Sequence, residues 1–232
     1  PDKIKGEVKF TSRAFSDPVL IRANGSPTYS FCSVVDDIEY KVTDIIRGED
    51  HVTNTAIQIQ MFKALGDYVP NFAHLALLRT KDGEISKRHG GHDIKTLNEQ
   101  GVDNMAINCY LAKIGTSENV KPATNFTELA AGFSFKKFNK AAINYDQRDL
   151  EKINRKVIAL YDYATVKDKL ATLNIDISAE FWESIRANID KLADVKIWQD
   201  ICFKEPQITL SASDREFCQQ AAKLLPESWQ DD

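Results

Sequence analysis

The amino-acid sequence predicts an α/β fold followed by an all-α part, and two observations predict this division. In roughly the first hundred residues, short apolar segments with strand-like alternation are separated by turn signals and one well-punctuated helix. From Asp93 onward, apolar residues recur at helical spacing behind capping residues, and no strand signal of comparable strength follows residue 120. We therefore expect a sheet-bearing amino-terminal part followed by an all-helical carboxy-terminal part.

The first predicted elements are strands. Residues 7–10 and 19–22 alternate with period two, and the sequence Asn-Gly-Ser-Pro at 24–27 is a strong turn signal. Residues 29–35 form a nearly continuous apolar run. Such a run is typical of a buried strand in a parallel sheet.

A strand, a helix and a second strand follow. We predict the strands at 42–47 and 72–78. The helix between them can be capped by Thr53 or Asn54, and Gly66 ends it. Because a βαβ connection places its two strands parallel in one sheet, this part of the chain reads as α/β.

The later part of the chain carries helix signals. Three pairs of residues have the spacing of a capping box: Asn125 with Glu128, Asp146 with Asp149, and Ser211 with Asp214. Two apolar stripes recur at helical spacing, each predicted to lie on one helix: Phe181, Ile185, Ile189 and Leu192, and then Phe217, Ala221, Leu224 and Leu225.

Composition and charge exclude several classes of protein. The chain is 43% apolar and 28% charged, which is ordinary for a globular protein and argues against disorder. A net charge of −4 argues against a simple basic nucleic-acid-binding protein. Residues 133–156 nevertheless hold seven basic and three acidic side chains. A solvated helix face and a phosphate-binding surface explain this stretch equally well.

The cysteines and apolar segments indicate an intracellular protein. The four cysteines have neither zinc nor redox spacing and sit among apolar neighbours, so we expect reduced core thiols: Cys32, Cys109, Cys202 and Cys218. No apolar run approaches the roughly 18–20 residues that cross a bilayer. We expect a cytoplasmic protein without membrane contact. We assign no histidine to a metal, and we expect His74 to be a hydrogen-bonded core residue.

The sharpest chemical feature is a loop in which Ser86 and two cations, Lys87 and Arg88, precede two glycines. Such a loop can wrap a polyphosphate, although basic loops of this kind are common on surfaces. This loop is the last of five motifs in one order: PTYSF at 27–31, VVDD at 34–37, TDIIRGEDH at 43–51, HLALL at 74–78 and ISKRHG at 85–90. The series closely resembles the second half of the Rossmann-like catalytic domain of bacterial glutamyl-tRNA synthetases, which are class I aminoacyl-tRNA synthetases.

The resemblance implies that Tyr29 and Arg47 hold the glutamate substrate. A guanidinium offers a planar, two-pronged match to a carboxylate, and a phenol hydroxyl can share the contact. The residues alone leave other interpretations open. Tyr29 can be a half-buried strand aromatic, and Arg47 can form a surface ion pair with Glu49 or Asp50.

The resemblance also implies an ATP site, with ATP as a substrate and Mg²⁺ expected beside it. The KMSKS-type signature of the family falls on Ile85, Ser86, Lys87 and Arg88, of which Ser86 and Lys87 are the expected catalytic residues.

Leu77 and Leu78 match the strand end that reads adenine, and ordinary sheet core explains them equally well. Glu49, Asp50 and His51 match the junction of nucleotide, amino acid and tRNA 3′ end. The first signature lysine is replaced by Glu84.

The remaining expectations concern tRNA. Region 1–24 resembles the tail of the insertion that binds the acceptor end, 25–98 the second catalytic half, 99–162 the stem-contact domain and 163–232 the first part of the anticodon-binding region. Five basic residues then face tRNA phosphates: Lys136, Lys137, Lys140, Arg148 and Lys152. Lys191 falls near a position where discriminating members carry an arginine. We expect tRNA(Glu) as the partner, and the sequence leaves open whether tRNA(Gln) is also charged. A lysine at position 191 should loosen selection at the anticodon. The alternative is that Lys191 is only a solvated helix residue.

One expected motif is absent. No His-Ile-Gly-His-like sequence precedes Tyr29, so we expect an internal or C-terminal fragment of a monomeric glutamate–tRNA ligase, inactive by itself. Two alternatives remain. One is a non-catalytic tRNA-binding module derived from a synthetase. The other is a shorter tRNA-modifying relative, which has nothing to match the helical segment at 163–229.

Overall fold

The computed structural model describes residues 1–11, 17–66, 68–80, 93–204 and 209–225, and the backbone of 83–84. The strands are β1 (Asp44–Gly48), β2 (Asn71–Leu75), β3 (Leu78–Thr80), β4 (Gly83–Glu84) and β5 (Ile143–Asn144). The helices are α1 (Tyr29–Glu39), α2 (Val52–Ala64), α3 (Ile94–Glu99), α4 (Asn104–Lys113), α5 (Phe126–Ala131), α6 (Gln147–Leu160), α7 (Tyr163–Thr172), α8 (Ala179–Ile185), α9 (Val195–Phe203) and α10 (Ala212–Ala222).

The predicted βαβ unit is confirmed. β1 and β2 pair in parallel, with Arg47 opposite His74 and Gly48 opposite Leu75. Their connection, α2, begins at Val52, one or two residues before the predicted caps, and ends at Ala64. Gly66 follows with φ +76°, a conformation that glycine adopts without strain. The predicted strand at 72–78 is divided between β2 and β3.

The predicted strands before this unit are wrong. Residues 29–35 lie in α1, because Val34 is fully buried and Phe31 and Ile38 pack beside it against α2. This spacing of three and four residues is helical, and the predicted strand came from a short apolar run that fits either element. Residues 7–10 and 19–22 form no strand, and within them only an isolated bridge joins Ile21 to Pro27.

A small core lies between α1, α2 and the parallel sheet. It consists of Val34, Met61, Phe62 and Phe72. On the far side of β2, the backbone N–H of Lys3 donates to the carbonyl of Phe72 at 2.8 Å. The amino-terminal segment therefore lies along the edge of β2 and brings Asp2 next to His74.

The part predicted to be all-helical contains one short strand. β5 pairs in parallel with β3, which pairs on its other side with β4 in antiparallel fashion. The remaining helices enclose a larger core that runs from Leu97 through α4, α6 and α7 to Val195, with Trp182 fully buried. The Trp182 Nε1–H donates to the carbonyl of Tyr161 at 2.9 Å.

Two of the three predicted capping pairs form the predicted hydrogen bond. Asn125 accepts from the N–H of Glu128, and Ser211 and Asp214 form a complete capping box. Asp146 also caps its helix, but it accepts from the N–H of Arg148 rather than from that of Asp149.

The predictions for the two apolar stripes are wrong, the first in its helix and the second in its burial. The stripe from Phe181 is not on one helix: α8 ends at Ile185, a 3-10 turn follows, and Ile189 is buried in extended backbone. Phe217 on α10 is 71% exposed, and Leu224, two residues beyond the end of that helix, is 86% exposed, so the predicted stripe covers no core of the described residues.

The cysteine prediction is wrong in part. Cys109 is buried and Cys32 is half-buried, as expected of core thiols. Cys202 and Cys218 are exposed, because the apolar residues beside them in sequence lie on solvent-facing sides of α9 and α10. None of the described helices is both long enough and apolar enough to span a bilayer.

Candidate functional site

The candidate site lies where β1 ends. Gly48 ends the strand, and a 3-10 turn over Glu49–His51 leads directly into α2. A Cβ at position 48 would collide with the Asp50 side chain and lie 3.3 Å from Leu77 Cδ2. A larger residue at position 48 would therefore require the Asp50 side chain to move.

Arg47 is the last side chain of β1 before this turn, and it points at α2. Its Nη2 donates to Thr55 Oγ1 at 2.5 Å and to Gln58 Oε1 at 2.5 Å. Its guanidinium carbon lies 5.8 Å from the centre of the Phe72 ring. The cation is thus held on one side by two neutral oxygens and on another by an aromatic face.

The charge of Arg47 is not neutralised by a direct ion pair. Among the described residues, no carboxylate lies within 4.0 Å of its guanidinium nitrogens. The suggested ion pair with Glu49 or Asp50 is therefore wrong: Glu49 pairs with Lys5, and Asp50 lies 3.7 Å from His51 Nε2. Burial lowers the pKa of Arg47, and Tyr29 and Asp37 oppose that shift. An arginine remains charged under such conditions.

Tyr29 lies beside Arg47, so the structure brings the predicted pair together. Tyr29 is 63% exposed at the first position of α1, which excludes the half-buried strand aromatic. Its phenol lies near enough to the Arg47 guanidinium to counteract the lowering of the Arg47 pKa by burial. Its ring centre lies 6.5 Å from that of His51.

Three buried polar atoms near Tyr29 have no hydrogen-bond partner among the described residues. They are Thr28 Oγ1, Arg47 Nε and His51 Nδ1. Leaving a buried polar atom unpaired costs about 1–3 kcal/mol. A polar ligand that reached the surroundings of Tyr29 could supply partners for such atoms.

Glu49 connects three segments next to this site. One carboxylate oxygen forms an ion pair with Lys5, and the other accepts from the backbone N–H of Leu77 at 3.4 Å. The Lys5 hydrogen bond holds the pKa of Glu49 below its usual value. Leu77 and Leu78, predicted to read adenine, are half-buried at the junction of β2 and β3.

The signature loop falls outside the described residues. This applies to Ile85, Ser86, Lys87 and Arg88. Immediately before it, β4 is described by its backbone, with position 84 opposite Arg79 of β3. Glu84, which replaces the first signature lysine, is therefore the last residue of a paired strand.

Sequence reasoning missed the buried polar residues that surround Arg47. The prediction for His74 is confirmed: it is buried, with Nδ1 2.6 Å from Asp2 Oδ2 and Nε2 2.8 Å from Thr55 Oγ1. Thr55 and Gln58, buried on α2, were not predicted. The signal available was their spacing of three residues, which places both on the helix face that also carries Met61 and Phe62.

Most of the predicted tRNA-contacting residues are exposed, and several are already ion-paired. Lys137 pairs with Glu118, whose pKa is lowered to about 2 by Lys113 and Lys137. The other contacts are Lys140 with the carbonyl of Lys5, Arg148 with Asp146, and Lys152 with Asp149. Lys136 is exposed and forms no ion pair with any residue that the structure describes.

Lys191 does not lie on the helix that carries Phe181. It has extended backbone ahead of a 3-10 turn, because the chain leaves α8 before reaching it. Its side chain packs over Gly101 and lines a cavity of about 400 Å³ together with Arg148, Lys152 and Asp190. The structure therefore joins Lys191 to the basic side chains of α6.

A metal site was not predicted, and the described residues offer no group of three or more His, Cys, Asp or Glu side chains that could hold an ion. The Mg²⁺ expected with ATP would enter bound to the nucleotide.

Comparisons with known proteins agree in pointing to one family. Residues 1–159 match the family described as tRNA synthetases class I (E and Q), catalytic domain. The chain is 48% identical over 227 residues to glutamate–tRNA ligase 1 of Rickettsia typhi and 48% identical over 228 residues to that of Rickettsia bellii. Each alignment covers 97% of this chain and 51% of the relative, so the chain spans about half the length of these proteins.

Solved structures give the same picture of the fold. The chain superposes on a glutamate tRNA ligase from Elizabethkingia meningosepticum, crystallised in complex with its amino acid, with a TM-score of 0.76 and 25% identity. That match covers 96% of this chain and 50% of the other. A glutamate-tRNA synthetase from Elizabethkingia anophelis has a similar fold, with a TM-score of 0.74 and 23% identity. The fold is therefore that of a class I synthetase, with many helices and short parallel sheets.

Proposed function

Because this chain belongs to the class I tRNA synthetase family for glutamate and glutamine, we propose that it forms part of a glutamate–tRNA ligase. The complete gene product, called the intact enzyme below, would join glutamate to the 3′ end of tRNA(Glu) at the expense of ATP. Region 25–98 would supply one half of its nucleotide-binding domain, including the KMSKS-type loop. Regions 99–162 and 163–232 would supply the stem-contact domain and the first part of the anticodon-binding region.

The observation that carries this proposal is that Arg47 is partly buried and has no ion-pair partner among the described residues. Such a guanidinium, with Tyr29 beside it, is an electrostatically incomplete site. A carboxylate ligand completes it with charge-assisted hydrogen bonds. Glutamate carries two carboxylates, and the one that attacks ATP must remain available. The carboxylate held by Arg47 is therefore that of the glutamate side chain.

The reaction proceeds in two steps. An oxygen of the α-carboxylate of glutamate attacks the α-phosphorus of ATP, the bond from that phosphorus to the bridging oxygen breaks, and pyrophosphate leaves. A terminal ribose hydroxyl of tRNA then attacks the acyl carbon, loses its proton, and AMP leaves. The chain would contribute by positioning glutamate through Tyr29 and Arg47 and by neutralising phosphate charge through Ser86 and Lys87. Arg88 and Ile85 would complete the loop, and Leu77, Leu78, Glu49 and Asp50 would line the nucleotide.

A first prediction tests this function. The intact enzyme should exchange pyrophosphate into ATP when glutamate and tRNA are present, and aspartate should not replace glutamate. The 232-residue chain by itself should remain at background, because it holds no His-Ile-Gly-His-like motif ahead of Tyr29. Exchange at a rate comparable to that of the intact enzyme would contradict the need for that motif. An intact enzyme that responds equally to both amino acids would contradict the assignment of glutamate.

A second prediction concerns tRNA. We propose that Lys191 contacts RNA phosphate as part of the basic surface formed with Arg148 and Lys152, alongside Lys136, Lys137, Lys140 and, nearer the acceptor end, His51. Lys191→Gln in the intact enzyme should weaken tRNA(Glu) binding about three- to tenfold and lower the salt dependence by about one charge.

The control for this prediction is Lys196→Gln, an exposed lysine on α9 outside that cavity. Binding of tRNA(Gln) should weaken by the same factor, since a phosphate contact does not read sequence. A change in the ratio of the two tRNAs would instead assign Lys191 to anticodon selection.

A further inference from the structure

A continuous set of hydrogen bonds runs from the amino-terminal segment through β2 and α2 to Arg47. Asp2 Oδ2 lies 2.6 Å from His74 Nδ1, and His74 Nε2 lies 2.8 Å from Thr55 Oγ1. Thr55 Oγ1 in turn accepts from Arg47 Nη2 at 2.5 Å. The side chains of Asp2 and His74 are only 5% and 3% exposed. In such surroundings each group has few alternative partners, so the geometry of the set is well defined.

Asp2 and Thr55, two members of this set, are each held by further hydrogen bonds. Asp2 Oδ1 accepts from the backbone N–H groups of Ile4 and Lys5 at 2.8 and 2.7 Å, which holds the carboxylate in place. The Thr55 hydroxyl donates to the carbonyl of His51 at 3.1 Å, one helical turn earlier. The Thr55 oxygen therefore cannot rotate away from Arg47 without losing its contacts to His51 and His74.

A second arm reaches the same nitrogen of Arg47. Gln58 Oε1 accepts from Nη2 at 2.5 Å, and Gln58 Nε2 donates to Ser33 Oγ at 2.7 Å. The amide of Gln58 is therefore oriented by Ser33 on α1, with its oxygen toward Arg47. Both hydrogens of Nη2 are then used by the protein, whereas the buried Nε has no partner among the described residues.

We propose that Thr55 and Gln58 are positioning residues that hold Arg47 in the orientation in which it receives the carboxylate of glutamate. Asp2 and His74 fix Thr55, and Ser33 fixes Gln58. A guanidinium on a long flexible side chain loses conformational entropy when it binds a ligand. Fixing it beforehand removes that cost and improves the affinity for glutamate. This inference rests on the proposed function, in which Arg47 binds the substrate.

The test is a double-mutant cycle in the intact enzyme. Thr55→Val keeps the shape of the side chain and removes the oxygen that Arg47 uses. We expect the KM for glutamate to rise about tenfold, with the KM for ATP and the kcat within about twofold. When Arg47→Ala is already present, Thr55→Val should have no further effect on the KM for glutamate, because a positioning residue acts only through the residue that it holds.

Three further variants separate positioning from a general loss of stability. Thr55→Ser retains the hydroxyl and should restore the KM to within about twofold of the unmodified enzyme. Thr53→Val makes the same change at an exposed position of α2 and should leave both KM values unchanged. Should Thr55→Val fail to fold, Gln58→Met removes the second arm, and its effect on the KM for glutamate should likewise vanish when Arg47 is alanine.

The outcomes distinguish this inference from the function on which it rests. If Arg47→Ala raises the KM for glutamate and Thr55→Val raises it further by the same factor, Thr55 does not act through Arg47 and the inference is wrong. If Arg47→Ala leaves the KM for glutamate unchanged, the proposed substrate contact itself is wrong. If Thr55→Val has no effect on the KM for glutamate in the Arg47→Ala enzyme, and Thr55→Ser restores that KM, both the positioning role of Thr55 and the substrate contact of Arg47 are supported.

Discussion

Replacing Arg47 by alanine in the intact enzyme is expected to raise the KM for glutamate roughly 30- to 700-fold, which corresponds to about 2–4 kcal/mol for a lost charged partner of a carboxylate. The reason is that Arg47 is a partly buried cation, and no carboxylate of the described residues forms an ion pair with it. The KM for ATP should change little, because the predicted phosphate contacts lie in another loop. Pyrophosphate exchange at varied glutamate and varied ATP measures both values.

Two controls accompany this experiment. Arg215→Ala removes an exposed arginine from α10, away from the site, and should change neither KM. Arg47→Lys keeps the charge but loses the planar fork, so it should recover only part of the affinity. An equal rise in both KM values for Arg47→Ala would assign Arg47 to the phosphates of ATP instead.

Replacing Lys87 by alanine is expected to lower the rate of glutamyl-adenylate formation roughly 100-fold or more, because a cation that meets developing phosphate charge acts mainly in the transition state. The effect should fall on kcat, with a much smaller change in the KM for glutamate. Single-turnover measurement of adenylate formation gives the rate directly. Lys95→Ala, an exposed lysine of α3 paired only with Glu99, serves as the control.

Glu84→Lys tests the same loop in the opposite direction. It restores the cation that the KMSKS-type signature carries, so its effect should be neutral or mildly activating. Position 84 is the last residue of β4, so this substitution lies at the end of a paired strand. An unchanged rate in Lys87→Ala combined with a lost rate in Glu84→Lys would contradict the assignment of this loop.

Sequence patterns predicted the βαβ unit well because its signals are local. A capped helix between two apolar segments needs no distant contact to be recognised, and β1, α2 and β2 lie close to their predicted positions. The apolar run at 29–35 failed for the opposite reason. Seven mostly apolar residues fit a buried strand or a helix equally well, and only the contact of α1 with α2 decides between them.

The site was predicted in part. Tyr29 and Arg47 were named by resemblance to a family, and the structure places them side by side, while their contact with glutamate stays a prediction. Thr55, Gln58 and Asp2 were missed, because a polar residue is ordinarily read as exposed and its burial depends on contacts across the sheet. Lys191 was predicted to lie on a helix, although its backbone is extended, because the break after α8 has no proline or glycine to mark it.

The pairing of β5 with β3 has a mechanical consequence. The N–H of Ile143 donates to the carbonyl of Leu77 at 3.1 Å, and that of Tyr145 to the carbonyl of Arg79 at 2.7 Å. β3 therefore lies between β4, which leads into the signature loop, and β5, which is followed three residues later by α6 and its basic side chains. If α6 moves and β5 moves with it, either these two hydrogen bonds break or β3 and β4 move as well. A force on the basic surface would therefore reach β4, the strand that precedes the signature loop, through β3.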